Sequence, residues 1–462
     1  MFKQYQEYKN SGVEWLGDVP KHWEIVRTKH IYNYRQEPAL QNDEIITAFR
    51  DGQVTLRKYR RTEGFTNSIQ EHGYQHIHKG DLVIHEMDAF AGTIGIAEYS
   101  GKSTPVYTVL YPNQNLNNTF FCYFFRTMAL SGYISSLAKG IRVRSTDFRW
   151  ATSKNVPLVF PPLAEQTQIA DYLDSETQKI DQLIAKQEKL IALLEEQRKS
   201  IISHAVTKGL NPNAAMKDSG VEWLGEVPEH WVVGKIKNLT TKIGSGKTPL
   251  GGAAVYTDFG ILFLRSQNIF NNGIDITEKT FISESIDNEM KNTRVLAKDI
   301  LLNITGGSIG RCCIYPDNFP PANVNQHVCI IRCNDKILPE MMHFFWISSF
   351  GQTVIALQQT GANREGMNFY QIANTSFPIP PITEQNQIVN YLEKENQKID
   401  KIIQKQTALI EKLKEYRASI IAHAVTGKID VRKMENVGWA LAHQEIINCD
   451  LMNESSSYEK SN

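Results

Sequence analysis

Basic side chains gather at two loop-like places in the first third of the chain: Arg57, Lys58, Arg60 and Arg61 around Tyr59, and Arg142, Arg144 and Arg149 within KGIRVRSTDFR. A guanidinium is a planar fork that matches a phosphate or a guanine edge, and an interleaved ring or hydroxyl adds stacking or a hydrogen bond. Further on come GSGKT with Lys247, Arg265 ahead of Ser266, Gln267 and Asn268, and GANRE with Asn363 and Arg364. Their glycines permit a backbone to approach a duplex closely. The chemistry on offer is recognition of a nucleic acid, with no bond made or broken. Taken alone, these residues are equally compatible with solvated basic loops that bind nothing.

Reactions need other constellations. GSGKT fails as a phosphate loop, because Thr241 stands where GxxxxGK[ST] needs glycine and Pro249 interrupts the helix that should follow. Cys312, Cys313, Cys329 and Cys333, with His327 between them, match no zinc spacing, and VCIIRC alternates like a half-buried strand. There is no GxGxxG after a strand, no Asn/Asp-Pro-Pro-aromatic quartet, no HExxH and no nuclease-like acidic-x-Lys motif. The expectation is a chain without a catalytic site, metal or cofactor of its own.

What positions the basic loops is an internal repeat. SGVEWLGDVPKHW at 11–23 recurs as SGVEWLGEVPEHW at 219–231, identical at eleven of thirteen positions. The block at 161–207, opening PPLAEQ and closing HAVT, recurs at 380–426 with 28 identities in 47 positions. Between these blocks, residues 28–156 and 236–375 share only faint echoes: GTIG at 92–95 beside GSIG at 307–310, and Gly140 with Phe148 beside Gly361 with Phe369. The order is variable, constant, variable, constant.

Each constant block carries apolar residues alternating by four and three over five heptads, from Ile169 to Ile201 and from Ile388 to Ile420. Such spacing predicts two long helices, and the need to return the chain before the second variable segment predicts an antiparallel coiled-coil pair. Gln187 and Gln406 occupy matching seam positions and are candidate register pins between the helices. Strand-like runs (DLVIHE, GILFLR, DILLNI, VCIIRC) and helical stretches near 120–138 and 339–358 make the variable segments mixed α/β globules. The expected fold class is α+β, with a pseudo-twofold internal repeat. Its expected domains are 1–156, a helical spacer at 157–215, 216–375, a second spacer at 376–430, and a flexible tail at 431–462.

Fifty basic against fifty acidic residues give no net charge, so bulk electrostatics neither supports nor excludes nucleic acid. Six cysteines without a CxxC pair, no secretory leader, and apolar runs far shorter than a membrane span point to the cytoplasm.

The paired VEWLGxVPxHW blocks, the paired PPxxEQxxIxxYL openings, QKID in both long helices and the closing HAVT resemble the specificity subunit of type I restriction-modification systems, over nearly the whole chain. That resemblance implies two target-recognition domains, each reading one half of a split, asymmetric site in double-stranded DNA. It also implies two modification subunits, which methylate adenine with S-adenosylmethionine, and two restriction subunits, which use ATP and Mg2+. By the same resemblance, Glu165, Gln166, Glu384 and Gln385 fall in the junction between domain and helix. Two rivals stand beside it: an enzyme acting through an unseen motif, and a coiled-coil protein-interaction scaffold without DNA specificity.

Overall fold

The computed structural model describes residues 3–60, 72–137, 147–359 and 366–432. The chain divides into two compact units, Met1–Lys186 with Leu409–Asn462, and Gln187–Ala408.

In the first unit, β1 (Tyr32–Tyr34), β2 (Leu82–His85), β3 (Ile94–Ile96) and β4 (Tyr107–Pro112) form an antiparallel sheet in the order β1-β4-β2-β3. Their β-branched and aromatic residues fit a pleated, buried surface. A helix at Asn118–Leu130, capped by the Asn117 side chain, drives Phe120, Phe121, Phe124, Phe125 and Met128 into the core beneath the sheet. The chain then enters the long helix α1 (Leu163–Lys208). In the second unit, β5 (Thr240–Ser245), β6 (Ile300–Asn303), β7 (Cys312–Ile314) and β8 (Val328–Cys333) repeat the topology as β5-β8-β6-β7. A helix at Pro339–Ile347 buries Met341, Met342, Phe345 and Trp346, and the last regular element among the described residues is the long helix α2 (Ile382–Val425). Cys312, Cys313 and Cys329 lie buried in these strands, where burial pushes the Cys313 and Cys329 thiols up to about 12.

Backbone hydrogen bonds fix which residues of the two domains correspond. His85 N donates to Thr93 O and Asn303 N to Arg311 O, which sets Gly92 against Gly310, both left-handed at φ +80° and +85°. The apparent match of GTIG with GSIG is therefore out of register by three residues. The left-handed turn, and not the motif's lettering, determines where glycine must stand. Phe148 N donates to Glu86 O and Met367 N to Ile304 O, so the counterpart of buried Phe148 is buried Met367, whereas Phe369 is exposed. Gly80 and Lys298 also correspond, donating to Ala97 O and Tyr315 O. Lys298 sits at φ +65° where the first domain has glycine. The aspartates that follow, Asp81 and Asp299, are buried and ion-paired to Arg35 and Arg332.

Helices α1 and α2 run antiparallel in each unit. In the first, Ile169, Ala170 and Leu173 pack in one core with Ile420, Ala424 and Val425, and Arg417 grips Asp181 at 2.9 and 3.1 Å. In the second, Ile202, Ala205 and Val206 share a core with Ile388, Val389 and Leu392, and Arg198 pairs with Asp400. The heptad seam holds at Ile169, Leu173, Ile180 and Leu194 and at Ile388, Leu392, Ile399, Leu413 and Ile420; in the last turns burial also reaches Ile202, Ala205 and Val206, and Ala424 and Val425, off the heptad. There the helices face a globular core, which calls for a broader stripe than a partner helix does. Polar bonds join the two helices at the arginine–aspartate pairs; among the described residues none joins Gln187 to Gln406, whose Oε1 is buried without a partner.

Each domain is fastened to its helix by one carboxylate. Glu165, in the first turn of α1, accepts hydrogen bonds from Trp23 Nε1 at 3.0 Å and Tyr5 Oη at 2.5 Å, and meets His22 Nε2 at 2.8 Å. Burial and this carboxylate push the Tyr5 phenol well above its ordinary range, so it remains a donor. Glu384, in the first turn of α2, takes Trp231 Nε1 at 3.0 Å and meets His230 Nε2 at 2.7 Å. The neighbouring amides complete the joint: Gln166 accepts from Asn117 N and donates to Pro161 O, while Gln385 accepts from Leu338 N and donates to Pro380 O.

Glu165→Ala strands a buried indole N–H and a phenol, and lowers stability by about 2–4 kcal/mol in denaturant unfolding; Glu384→Ala, at a wetter site with fewer donors, costs roughly half as much. Lys298→Gly relieves a left-handed lysine and raises stability by about 0.5–1 kcal/mol, read by denaturant unfolding.

Candidate nucleic-acid interface

In the second domain, segments far apart in sequence converge at one end of the sheet. Ser245 pairs with Cys329 and Asn303 with Val328, so the segment after β5, the β6–β7 turn and the residues before β8 lie together. The strand Ile261–Leu264 runs parallel to Ala322–Val324 and ends at the same place, where Asn303 Nδ2 donates to Ser266 O at 2.8 Å. GSGKT and Arg265–Asn268 therefore meet around Thr305, Gln326 and His327. Gly246 is what permits it: a Cβ there would lie 1.6 Å from Val324 O. Lys247 is exposed and donates to Glu289 O at 3.2 Å, and the Arg265 Nε has no partner among the described residues. Thr305 bridges to Gly366, so the chain leaving 360–365 is pinned to this same end.

The corresponding end of the first domain carries the β2–β3 turn. Phe148 N reaches Glu86 O, which pins the chain leaving 138–146 here. Around it stand Arg50, bonded to Asp88 through Nε at 2.9 Å and Nη2 at 2.8 Å, and Arg149, at 2.8 Å from Asp147 and 3.5 Å from Glu86. Arg57 donates to Thr47, Lys58 pairs with Glu44 beside exposed Tyr59, and Arg60 pairs with Asp51 while lying over Phe49. Each of these cations already holds a polar partner, so a phosphate or base must exchange with it. Arg61, Arg142, Arg144, Asn363 and Arg364 lie outside the described residues.

Sequence reasoning missed Arg50, Glu86, Gln326 and His327. Their signal was positional, since each follows or precedes a core strand at the end where the loops gather. Glu86 is raised above the ordinary carboxyl value, chiefly by burial, against the lowering effects of the Thr108 hydroxyl and Arg149. Asp88 is lowered, chiefly by its bond to Arg50. Among the described residues, no group of three or more His, Cys, Asp or Glu is placed to hold a metal ion, and no helix is long and apolar enough to cross a membrane.

Two stretches of the chain, 20–193 and 228–412, match the family model described as the type I restriction modification DNA specificity domain. The chain belongs to that family. It is similar to the EcoBI specificity subunit of a type I restriction enzyme from Escherichia coli, with 26% identity over 76% of this chain and 74% of that one. It is similar also to the MjaVIII specificity subunit from Methanocaldococcus jannaschii, with 24% identity over 90% and 95%. Among solved structures, a chain from work on complex assembly and conformational transition of the type I R-M system covers 88% of this chain and 98% of its own, with a TM-score of 0.66 and 13% identity. The HsdS subunit from Thermoanaerobacter tengcongensis gives 0.50 at 14% identity, over 89% and 98%. Both show the fold. Each matched stretch takes in the four-stranded sheet common to both domains and much of the long helix that follows it, and the second takes in a further four-stranded sheet that includes Ile261–Leu264 and Ala322–Val324. As a DNA specificity protein, the chain thus carries two copies of one reading architecture with different loops on each.

The raised Glu86 gives a stability test. A carboxyl lifted by burial costs native stability as pH climbs from the unfolded value through the raised folded value, and the cost is fully present above both. Glu86→Gln removes the charge. Its stability gain over the wild type, read by denaturant unfolding, is small near pH ~4 and grows towards pH ~7.

Proposed function

We propose that each of the two domains reads one half of a bipartite, asymmetric site in double-stranded DNA, and that the chain directs partner subunits to methylate adenine there or to restrict DNA in an ATP-dependent reaction. Two modification and two restriction subunits form the complete enzyme. S-adenosylmethionine, ATP and Mg2+ belong to those partners, and this chain contributes no catalytic group. The specificity subunits to which it is similar are named as parts of type I restriction enzymes. One of the structures it resembles concerns assembly of such a system.

The observation that carries this reading is repetition with divergence. The same sheet order occurs twice, each copy is joined to a long helix by the same Glu–Trp bond, and the loops at the corresponding sheet end are unlike. Equal scaffolds with unequal loops suit two readers of different sequences. Readers one helical turn apart on a duplex need a separation of about 34 Å. Helix α1, with 46 residues at about 1.5 Å each, has the length for such spacing.

Exchanging residues 28–156 for the corresponding domain of a relative, in a cell supplying the partner subunits, changes one half of the methylated site and leaves the other intact. Mapping methylated adenines across the genome checks this; a change in both halves, or in neither, defeats the modular reading. The purified chain alone, given DNA, S-adenosylmethionine, Mg2+ and ATP, forms no product.

A further inference from the structure

At the sheet end of the second domain, one exposed side chain is held by both of its polar atoms. The Thr248 hydroxyl donates to Gln326 Oε1, and Gln326 Nε2 donates to His327 Nε2, 3.0 Å away. That bond leaves the proton of the imidazole on Nδ1, which donates to Thr305 Oγ1 at 2.5 Å. Backbone supports the relay at both ends: His327 N donates to Asn325 Oδ1, and Ile304 N donates to His327 O. Gly246, which no larger residue can replace against Val324 O, delivers Thr248 to this position. A glutamine side chain free in solvent samples several rotamers and both amide orientations; this one is restrained in both.

A carboxamide has two acceptor sites and two N–H groups, and the relay uses one of each. One acceptor and one donor remain, side by side on an exposed residue. That pair complements the N6–H donor and N7 acceptor of adenine in the major groove. Two residues beyond Thr305, Gly307 is exposed, is not left-handed, and a Cβ there would meet nothing within 4 Å. Neither its own turn nor internal packing requires glycine at that point, so the bare backbone leaves room for an approaching strand. In the first domain, Glu86 N donates to Val106 O as Ile304 N does to His327 O. The positions of Gln326 and His327 are thus taken there by Pro105 and Val106, which have no side-chain hydrogen-bonding group.

We propose that Gln326 is a specificity-determining residue of the second domain, reading the major-groove edge of one adenine, and that Thr248, His327 and Thr305 are positioning residues that fix its amide. This rests on the two-reader function proposed above. Gln326 and His327 were not among the residues singled out as DNA contacts from sequence, and Thr248 entered only as the end of GSGKT.

The test uses the chain assembled with its modification subunits and measures methyl transfer on a library randomised across the site. Gln326→Ala lowers discrimination about 5- to 100-fold at one A·T pair in one half-site, with the other half unchanged. Gln326→Glu, which can only accept, shifts preference at that pair towards cytosine, whose N4–H donates. His327→Phe weakens discrimination at the same pair and at no other. Equal loss on all sequences makes Gln326 a phosphate contact, and no change at any pair makes it a bystander; either result overturns the proposal. Unfolding of each variant at the wild-type denaturant midpoint separates these outcomes from misfolding. A wild-type complex with no sequence preference would instead remove the function on which the proposal rests.

Discussion

A buried carboxylate at the start of a long helix is the constraint on which the architecture turns. Glu165 lies in the first turn of α1, where unpaired backbone N–H groups and the helix dipole favour negative charge, and its oxygens bind the indole of Trp23 and the phenol of Tyr5. The indole then serves as a second contact surface. Gly427, just past the end of α2, comes so close that a Cβ would lie 3.0 Å from Trp23 and 2.3 Å from Pro20. In the other unit, Gly209, just past the end of α1, stands in the same relation to Trp231 and Glu384, at 3.2 and 3.0 Å. One tryptophan in each unit therefore sees the beginning of one helix and the end of the other. This explains why VPxHW, PPxxEQ and HAVT occur together twice: the tryptophan bonds the glutamate of PPxxEQ and packs in one core with the alanine and valine of HAVT.

That joint accounts for what was legible in the sequence. Identity over tens of residues betrayed the repeat, and heptad spacing betrayed both helices, because a helix seam is written locally in steps of three and four. The four runs assigned to strands are strands, since each is short, β-branched and bounded by turn residues. The failures have one cause. Local lettering placed GTIG on GSIG and Phe148 on Phe369, whereas the correspondence is set by left-handed backbone at Gly92 and Gly310 and by hydrogen bonds across the sheet. Likewise the buried stripe broadens beyond the heptad at the far ends of both helices, where a globular core faces them.

The reading face was less legible because its residues are joined by fold and not by spacing. Ser245, Arg265, Thr305 and Gln326 come from four separate segments, and only the register of β5, β6 and β8 brings them to one end. A search by residue type favours arginine and lysine. It found Lys247 and Arg265 but passed over a glutamine whose significance lies in being held, and it passed over Arg50, whose neighbours in sequence carry no basic run.

The electrostatics of the first domain fit a reader better than a gripper. A protein that holds DNA by charge leaves cations free for phosphate, and its binding then weakens steeply with salt. Here Arg50, Lys58, Arg60 and Arg149 are paired with Asp88, Glu44, Asp51 and Asp147 on a chain of zero net charge. A cation held in this way would have to leave its carboxylate to contact DNA, and a sequence offering a poorer acceptor would lose that exchange. The complementary device in the second domain is neutral. Its amide is restrained by a hydroxyl and an imidazole, and it gains only where a donor and an acceptor face it together.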